Sequence, residues 1–336
     1  MAQQISFVIP IYNRPEELRE LLESLKAQSE KVFEVVVVED GSKRPSDQVV
    51  SSFKNSLPLA YFTKENTGPG DSRNYGMSRA KGSYFVILDS DCVLPKDYLK
   101  SVQDYLSNHD VDFFGGSDAA HESFNPIQKA INFSMTSFLT TGGLRGGTTS
   151  IQKFEPRSFN MGISRHAFEK SGGFGLIHPG EDPDLSIRLW KLGFVSAYIK
   201  DAFVYHKRRI NLKLFYKQVH AFGRVRPILM KRYPAYSKMS FWFPSVFLIG
   251  CIFSLVIAMF GCYVWLLLLI GYLLSLFLVA LFTDGLLVSL LVIPAFSIQM
   301  IGYGYGFLKT SVKMAFSNKD PELLFPSLFF NKKHGS

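Results

Sequence analysis

Between Phe241 and Leu308 the chain runs for 68 residues with a single Asp, Glu, Lys, Arg or His, namely Asp284. At about 20 residues per crossing, such a tract supplies about three membrane spans. The remaining sequence carries ordinary numbers of charged residues, so the chain reads as a water-compatible N-terminal part joined to a bilayer-embedded C-terminal one. The tract lies too late to be a signal peptide, and the opening MAQQISFVIP has no basic stretch and enters a strand-like run at once. The first 240 residues are therefore expected to stay in the cytoplasm.

The formal net charge of +9 has a local origin. Ten Lys and Arg and no Asp or Glu fall between Lys207 and Lys238, which leaves 27 basic against 28 acidic residues elsewhere. A basic block directly before an apolar tract is the pattern of a cytoplasmic anchor on anionic lipid. No nucleic-acid motif accompanies it, so no nucleic-acid partner is expected. Cys92, Cys251 and Cys262 show neither metal-ligand spacing nor a disulfide framework, as suits a reducing compartment.

Ahead of the basic block the pattern is that of an open, mainly parallel α/β sheet. The runs at 5–11 (ISFVIPI) and 33–39 (FEVVVVE) lack strict alternation, as strands covered on both faces do. Between them Asn13 is placed to cap a helix whose first turn holds Pro15 and whose apolar face is Leu18, Leu21, Leu22 and Leu25. A third strand is predicted over 59–63, a helix opening at Asp71 or Ser72, and a fourth strand in YFVILDSD. A strand over 157–164, a short helix in RHAFEKSGGF and a helix in EDPDLSIRLWKLG follow; in the last, Leu185, Leu189 and Leu192 line one side and Gly193 ends it. The Gly/Thr-rich GGLRGGTT reads as a mobile loop. In sheets of this kind ligands bind at the carboxyl ends of the strands. Asp40 closes the second strand and Asp89 and Asp91 the fourth, and residues i and i+2 of a strand point to one face.

Five blocks in order, VIPIYNRPEEL, VVVVEDGS, NTGPGDSRNYGMSRAKGSYFVILDSD, NMGISRHAFEKSGGF and EDPDLSIRLWKLG, resemble the family 2 glycosyltransferases of GT-A fold, a Rossmann-like α/β fold. The similarity covers roughly residues 4 to 206. It implies an inverting, metal-dependent transfer of a sugar from a nucleotide diphosphate, UDP in the first instance, with Mn²⁺ or Mg²⁺ as cofactor. The resemblance implies that Asp91 binds the metal, with Asp89 beside the ribose or sharing the ion, and that His206 completes the metal site. Asp40 would accept from the base, Pro10 and Tyr12 would frame the base pocket, and Arg73 would face the uracil or the diphosphate. Asp182, with Glu181 second, would take the proton of the acceptor hydroxyl. The chemistry agrees, since a diphosphate leaving group needs its charge neutralised and a hydroxyl nucleophile needs a nearby carboxylate. The plainer readings are helix-dipole complementation for Glu181, Asp182 and Asp184 and a structural ion pair for Arg73.

The layout expected is therefore a glycosyltransferase domain at 1–206, basic amphipathic helices lying in the headgroup layer at 207–240, about three apolar segments at 241–308 and a polar tail at 309–336. Such an anchor suggests a multi-pass protein of the cytoplasmic membrane and a lipid-linked saccharide or glycolipid as acceptor. Three full spans would put Lys309, Lys313, Lys319, Lys332 and Lys333 outside, against the positive-inside tendency, whereas two spans and a re-entrant or interfacial 286–308 would keep them inside. A polyprenyl-phosphate sugar synthase and an inactive GT-A scaffold are the rival readings. Homo-oligomerisation is left open.

Overall fold

The computed structural model describes residues 4–119, 124–142, 154–207 and 210–330. Most of the predicted GGLRGGTT loop and the last six residues, with Lys332 and Lys333, lie outside the described residues. The chain forms two compact units. The first gathers the described parts of Met1–Ala119, Thr148–His206 and Phe329–Ser336, the second those of Ala120–Gly147 and Lys207–Leu328.

In the first unit the strands are β1 (Ile5–Ile11), β2 (Phe33–Asp40), β3 (Leu59–Lys64), β4 (Tyr84–Leu88), β5 (Cys92–Val93), β6 (Phe113–Gly115), β7 (Asp118–Ala119), β8 (Asn160–Ser164), β9 (Ser196–Tyr198) and β10 (Val204–His206). Seven of them form one sheet in the order β3-β2-β1-β4-β8-β6-β9, in which β8 alone runs against its neighbours. The expected mainly parallel α/β sheet is what forms. Val35, Val36, Val37 and Val38 are all fully buried, so both faces of β2 are covered, and this is why the run never alternates. A small second sheet, β5-β10-β7, sits past the end of β4 and pairs His206 with Cys92.

The helices of this unit are α1 (Pro15–Lys26), α2 (Asp47–Phe53), α3 (Pro69–Arg79), α4 (Tyr98–Asn108), α7 (Arg165–Ser171) and α8 (Glu181–Lys191), with α5 (Pro126–Thr136) and α6 (Phe138–Thr141) belonging to the second unit. The leucines of α1 are buried in the core as expected. Asn13 does not cap α1: it takes a left-handed φ of 57°, a conformation Asn tolerates better than most residues, and its Oδ1 accepts from the amides of Lys43 and Arg44 at 2.7 and 3.1 Å. This ties the end of β1 to the turn after β2. Helix α3 starts at Pro69, two residues before the predicted Asp71, because proline suits a first turn. The strand predicted over 157–164 shortens to β8, preceded by a bridge between Arg157 and Asn160. In α8, Leu185 and Leu189 are buried but Leu192 is exposed, since the helix has already ended there.

The second unit holds α9 (Leu212–Arg232), α10 (Phe243–Ala258), α11 (Val264–Asp284), α12 (Leu286–Ala315) and α13 (Pro321–Leu324). Among the described residues, three helical stretches are long and apolar enough to cross a membrane: Met239–Ala258, Val264–Asp284 and Leu286–Ala315. The third runs to 315, seven residues beyond the predicted apolar limit of 308. Ala130, Ile131, Phe215, Val219, Val292 and Phe296 are among the residues of a core joining α5, α9 and α12.

Candidate active site

The carboxyl ends of β1, β2 and β4 and the start of α8 supply the polar groups. Strand β4 stops at Leu88, so Asp89 and Asp91 sit in a turn rather than on one strand face and meet different partners. Asp89 Oδ1 accepts from Arg73 Nη2 at 2.8 Å. Asp91 Oδ2 accepts from Arg14 Nη1 at 2.5 Å, and its Oδ1 stands 3.2 Å from His206 Nε2. The pairing of β10 with β5 is what brings His206 to Asp91, and the imidazole is stacked on Phe159 at 4.5 Å.

Ligand atoms of Asp91, Cys92 and His206 lie within 4.8 Å of one another. A carboxylate and an imidazole suit Mn²⁺ better than Mg²⁺, which prefers oxygen. Cys92 suits the role less well: its Sγ donates to Phe159 O at 3.4 Å, and soft sulfur is a poor match for a hard divalent cation. Asp91 and His206 thus fit a divalent cation.

Arg73 is the hinge of the site. Buried to 3% exposure, it donates from Nη2 to Asp89 and from Nη1 to Glu181 Oε1 at 3.0 Å, with its guanidinium over the ring of Phe174 at 5.2 Å. The plainer reading of Arg73 as an ion-pair residue is the arrangement seen, and the pair joins β4 to α8. Glu181 also pairs with His178 Nδ1 at 3.1 Å. Burial alone would raise the Glu181 pKa, but the His178 imidazole, by hydrogen bond and charge, and Arg73 overcome it and hold the carboxyl low. Asp182 moves the other way. Its burial raises the pKa, the Arg157 guanidinium at 3.6 Å lowers it, the Glu181 charge raises it again, and the net direction is upward. Asp184 is a different case, held by Arg188 Nε at 3.0 Å within α8.

Asp40 is buried at the end of β2, and its carboxylate accepts from Lys64 Nζ at 2.6 Å and from the amides of Thr67 and Gly68, both at 3.0 Å. In this arrangement it orders the turn between β3 and α3. Pro10 lies in β1 opposite Val38, and Tyr12, one residue past that strand, is exposed. Four residues of the site, Arg14, Lys64, Arg157 and His178, escaped the sequence reading. Arg14 lies inside the quoted YNRPEEL block and His178 three residues before Glu181, yet neither spacing specifies a partner 77 positions away or a loop that folds back on its own helix.

The family described as Glycosyl transferase family 2 matches residues 6–172. An "Uncharacterized glycosyltransferase" of Rickettsia felis is 31% identical over 137 residues, which make up 41% of this chain and 22% of that protein. The poly(ribitol-phosphate) beta-N-acetylglucosaminyltransferase TarS of Staphylococcus aureus is 34% identical over 113 residues, 32% of this chain and 20% of TarS. The matched stretch is thus about a fifth of the length of either relative. Among solved structures, the mannosyltransferase PcManGT of Pyrobaculum calidifontis, in complex with GDP-Man and Mn²⁺, aligns with a TM-score of 0.64 at 15% identity over 95% of this chain and 89% of its own. TarS 1-349 in complex with UDP-GlcNAc aligns with a TM-score of 0.50 at 20% identity over 99% and 98%. These two likenesses concern the fold.

Proposed function

We propose, from the match of residues 6–172 to glycosyl transferase family 2, that this chain is an inverting glycosyltransferase moving a sugar from a UDP-linked donor to a hydroxyl of a lipid-linked saccharide or glycolipid at the cytoplasmic face of the membrane. One observation carries the reading. Arg73 ion-pairs with Asp89 after β4 and with Glu181 at the start of α8, joining the two acidic stretches although Arg73 and Glu181 are 108 positions apart.

At the start of α8 the neighbouring carboxyls of Glu181 and Asp182 are pushed apart in proton affinity, the usual mark of divided acid–base roles. Glu181 stays ionised and orients Arg73. Asp182, raised by burial and by the Glu181 charge, is the better proton acceptor and takes the proton of the acceptor hydroxyl. Asp91 and His206 would hold a divalent cation, which when bound neutralises the departing diphosphate. Arg14, already on Asp91, adds a second positive group beside that place. A single displacement on an α-linked donor inverts the anomeric centre. The lipid-borne acceptor is supported by three stretches fit to span a bilayer, two of them with only 11% of their apolar window buried.

Thermal stability of the detergent-purified chain against UDP, GDP, CDP and dTDP, with and without Mn²⁺, tests the proposal. An Mn²⁺-dependent shift with UDP that is lost in Asp91→Asn is expected. A shift with GDP alone would replace the donor class, and no shift with any nucleotide in folded protein would sink the transferase reading.

A further inference from the structure

Phe329 and Phe330, the last described residues, belong to the first unit. Phe329 forms an antiparallel bridge with Ile177, and the Phe330 amide donates to Leu176 O at 2.9 Å. This short ladder runs along the segment that leads into His178, Glu181 and Asp182. The Phe330 side chain then fills the space between two loops. Its ring lies 5.5 Å from the His178 imidazole, centre to centre. On the other side it covers Gly68, where a Cβ would stand 2.5 Å from the ring.

Both contacts lead to groups already described. Gly68 opens α3, the helix that carries Arg73, and its amide donates to Asp40. His178 hydrogen-bonds Glu181, which in turn holds Arg73. A terminus tied down for stability alone would seal core surface. Phe330 is instead only half-buried, and it touches the loop on the nucleotide side and the loop on the base side at once.

We propose that Phe330 is a positioning residue for sugar transfer, holding the 176–181 loop so that Glu181 and Asp182 face the donor in a fixed geometry. The inference rests on Asp182 being the base proposed above. Positioning of this kind matters because a displacement of about 1 Å can cost up to about 100-fold in rate.

The test compares the full-length chain with Phe330→Ala and Phe330→Tyr, using hydrogen exchange of peptides over 174–184, Mn²⁺-dependent UDP binding and turnover of the UDP-sugar. Phe330→Ala is expected to exchange faster over that loop and to lose about ten- to 100-fold in kcat while UDP affinity stays unchanged. Phe330→Tyr should retain both protection and rate. Unchanged exchange and kcat in Phe330→Ala would overturn the proposal, as would a parallel loss of UDP affinity, kcat and overall melting temperature, which marks a merely structural residue. Should the wild type turn over no nucleotide sugar, the transferase reading fails by itself, and exchange alone decides: protection lost on Phe330→Ala supports the clamp and protection kept overturns it.

Discussion

Asp182 and Glu181 are neighbours in the chain, yet their surroundings push them in opposite directions. A carboxyl whose pKa is raised by folding binds its proton more tightly in the native state, so its ionisation costs stability as pH rises through the native pKa. Asp182→Asn should therefore leave the melting temperature at neutral pH no lower than that of the wild type. The same substitution should cut turnover by about 10² to 10⁴ with Mn²⁺-dependent UDP binding intact. The acidic limb of the wild-type kcat profile should lie above the ordinary Asp value of about 3.9, because Asp182 as the proposed base must lose its proton first. Turnover retained in Asp182→Asn would instead favour a phosphate acceptor, which needs no base. For Glu181 the sign reverses: its lowered pKa contributes stability that is present above the unfolded carboxyl range and lost as pH falls through the native value. At this scale the acids were nameable from a D-x-D turn, a helix opening and the family resemblance. Their partners were not, because an ion pair such as Arg73 with Glu181 leaves no periodicity in the sequence.

Helix α12 shows the same division between pattern and packing. The tract GYGYG fits either a span or a packed interfacial helix when read alone. In the structure Gly302 and Gly306 present a groove to α9, where a Cβ on Gly302 would stand 2.8 Å from Val219 and one on Gly306 would stand 2.5 Å from His220 O. Gly304 faces the backbone at Pro244, and Gly223 of α9 faces Tyr303. Small residues four apart let two helices approach backbone to backbone. Gly306→Ala is expected to lower stability by about 1–3 kcal/mol, read as thermal unfolding in detergent. Gly271→Ala in α11, which meets nothing within 4 Å, should leave the midpoint unchanged or raise it. Equal effects at the two sites would remove the close-packed groove from the account. The spacing of the glycines was visible in the sequence, whereas the identity of the facing helix was not.

For the molecule as a whole, the docking of Phe329 and Phe330 bears on topology. Both ends of the apolar tract are joined to the catalytic unit, so the chain is expected to cross a bilayer an even number of times. Two of the three apolar helices would then span. The member expected not to cross is α12, which buries 39% of its apolar window where the other two bury 11%. A membrane-impermeant maleimide tests this in sealed vesicles. Exposed Cys262, between α10 and α11, should react from the face opposite the catalytic unit, and Lys319→Cys in a Cys262→Ser background from the same face as that unit. Reaction of both positions from the opposite face would establish three crossings. An even count would also keep Lys309, Lys313 and Lys319 on the basic side and so remove the conflict that three spans create with the positive-inside tendency.

What the sequence determined by itself was local and periodic: the doubly covered strands, the leucine face of α1, the three apolar helices and the acids at strand ends and at the start of α8. Hydrophobic pattern decides these, since burial of each short segment depends on its own residues. The tertiary structure alone decided which charges meet. Arg14 reaches Asp91 and Arg73 reaches Glu181 across 77 and 108 positions, His206 arrives through a two-residue strand pairing, and Phe330 returns to cover Gly68 and His178. Each of these depends on the order of strands in the sheet and on where the chain turns back. Those are properties of the closed fold, set by all its contacts together, and no single stretch of sequence encodes them.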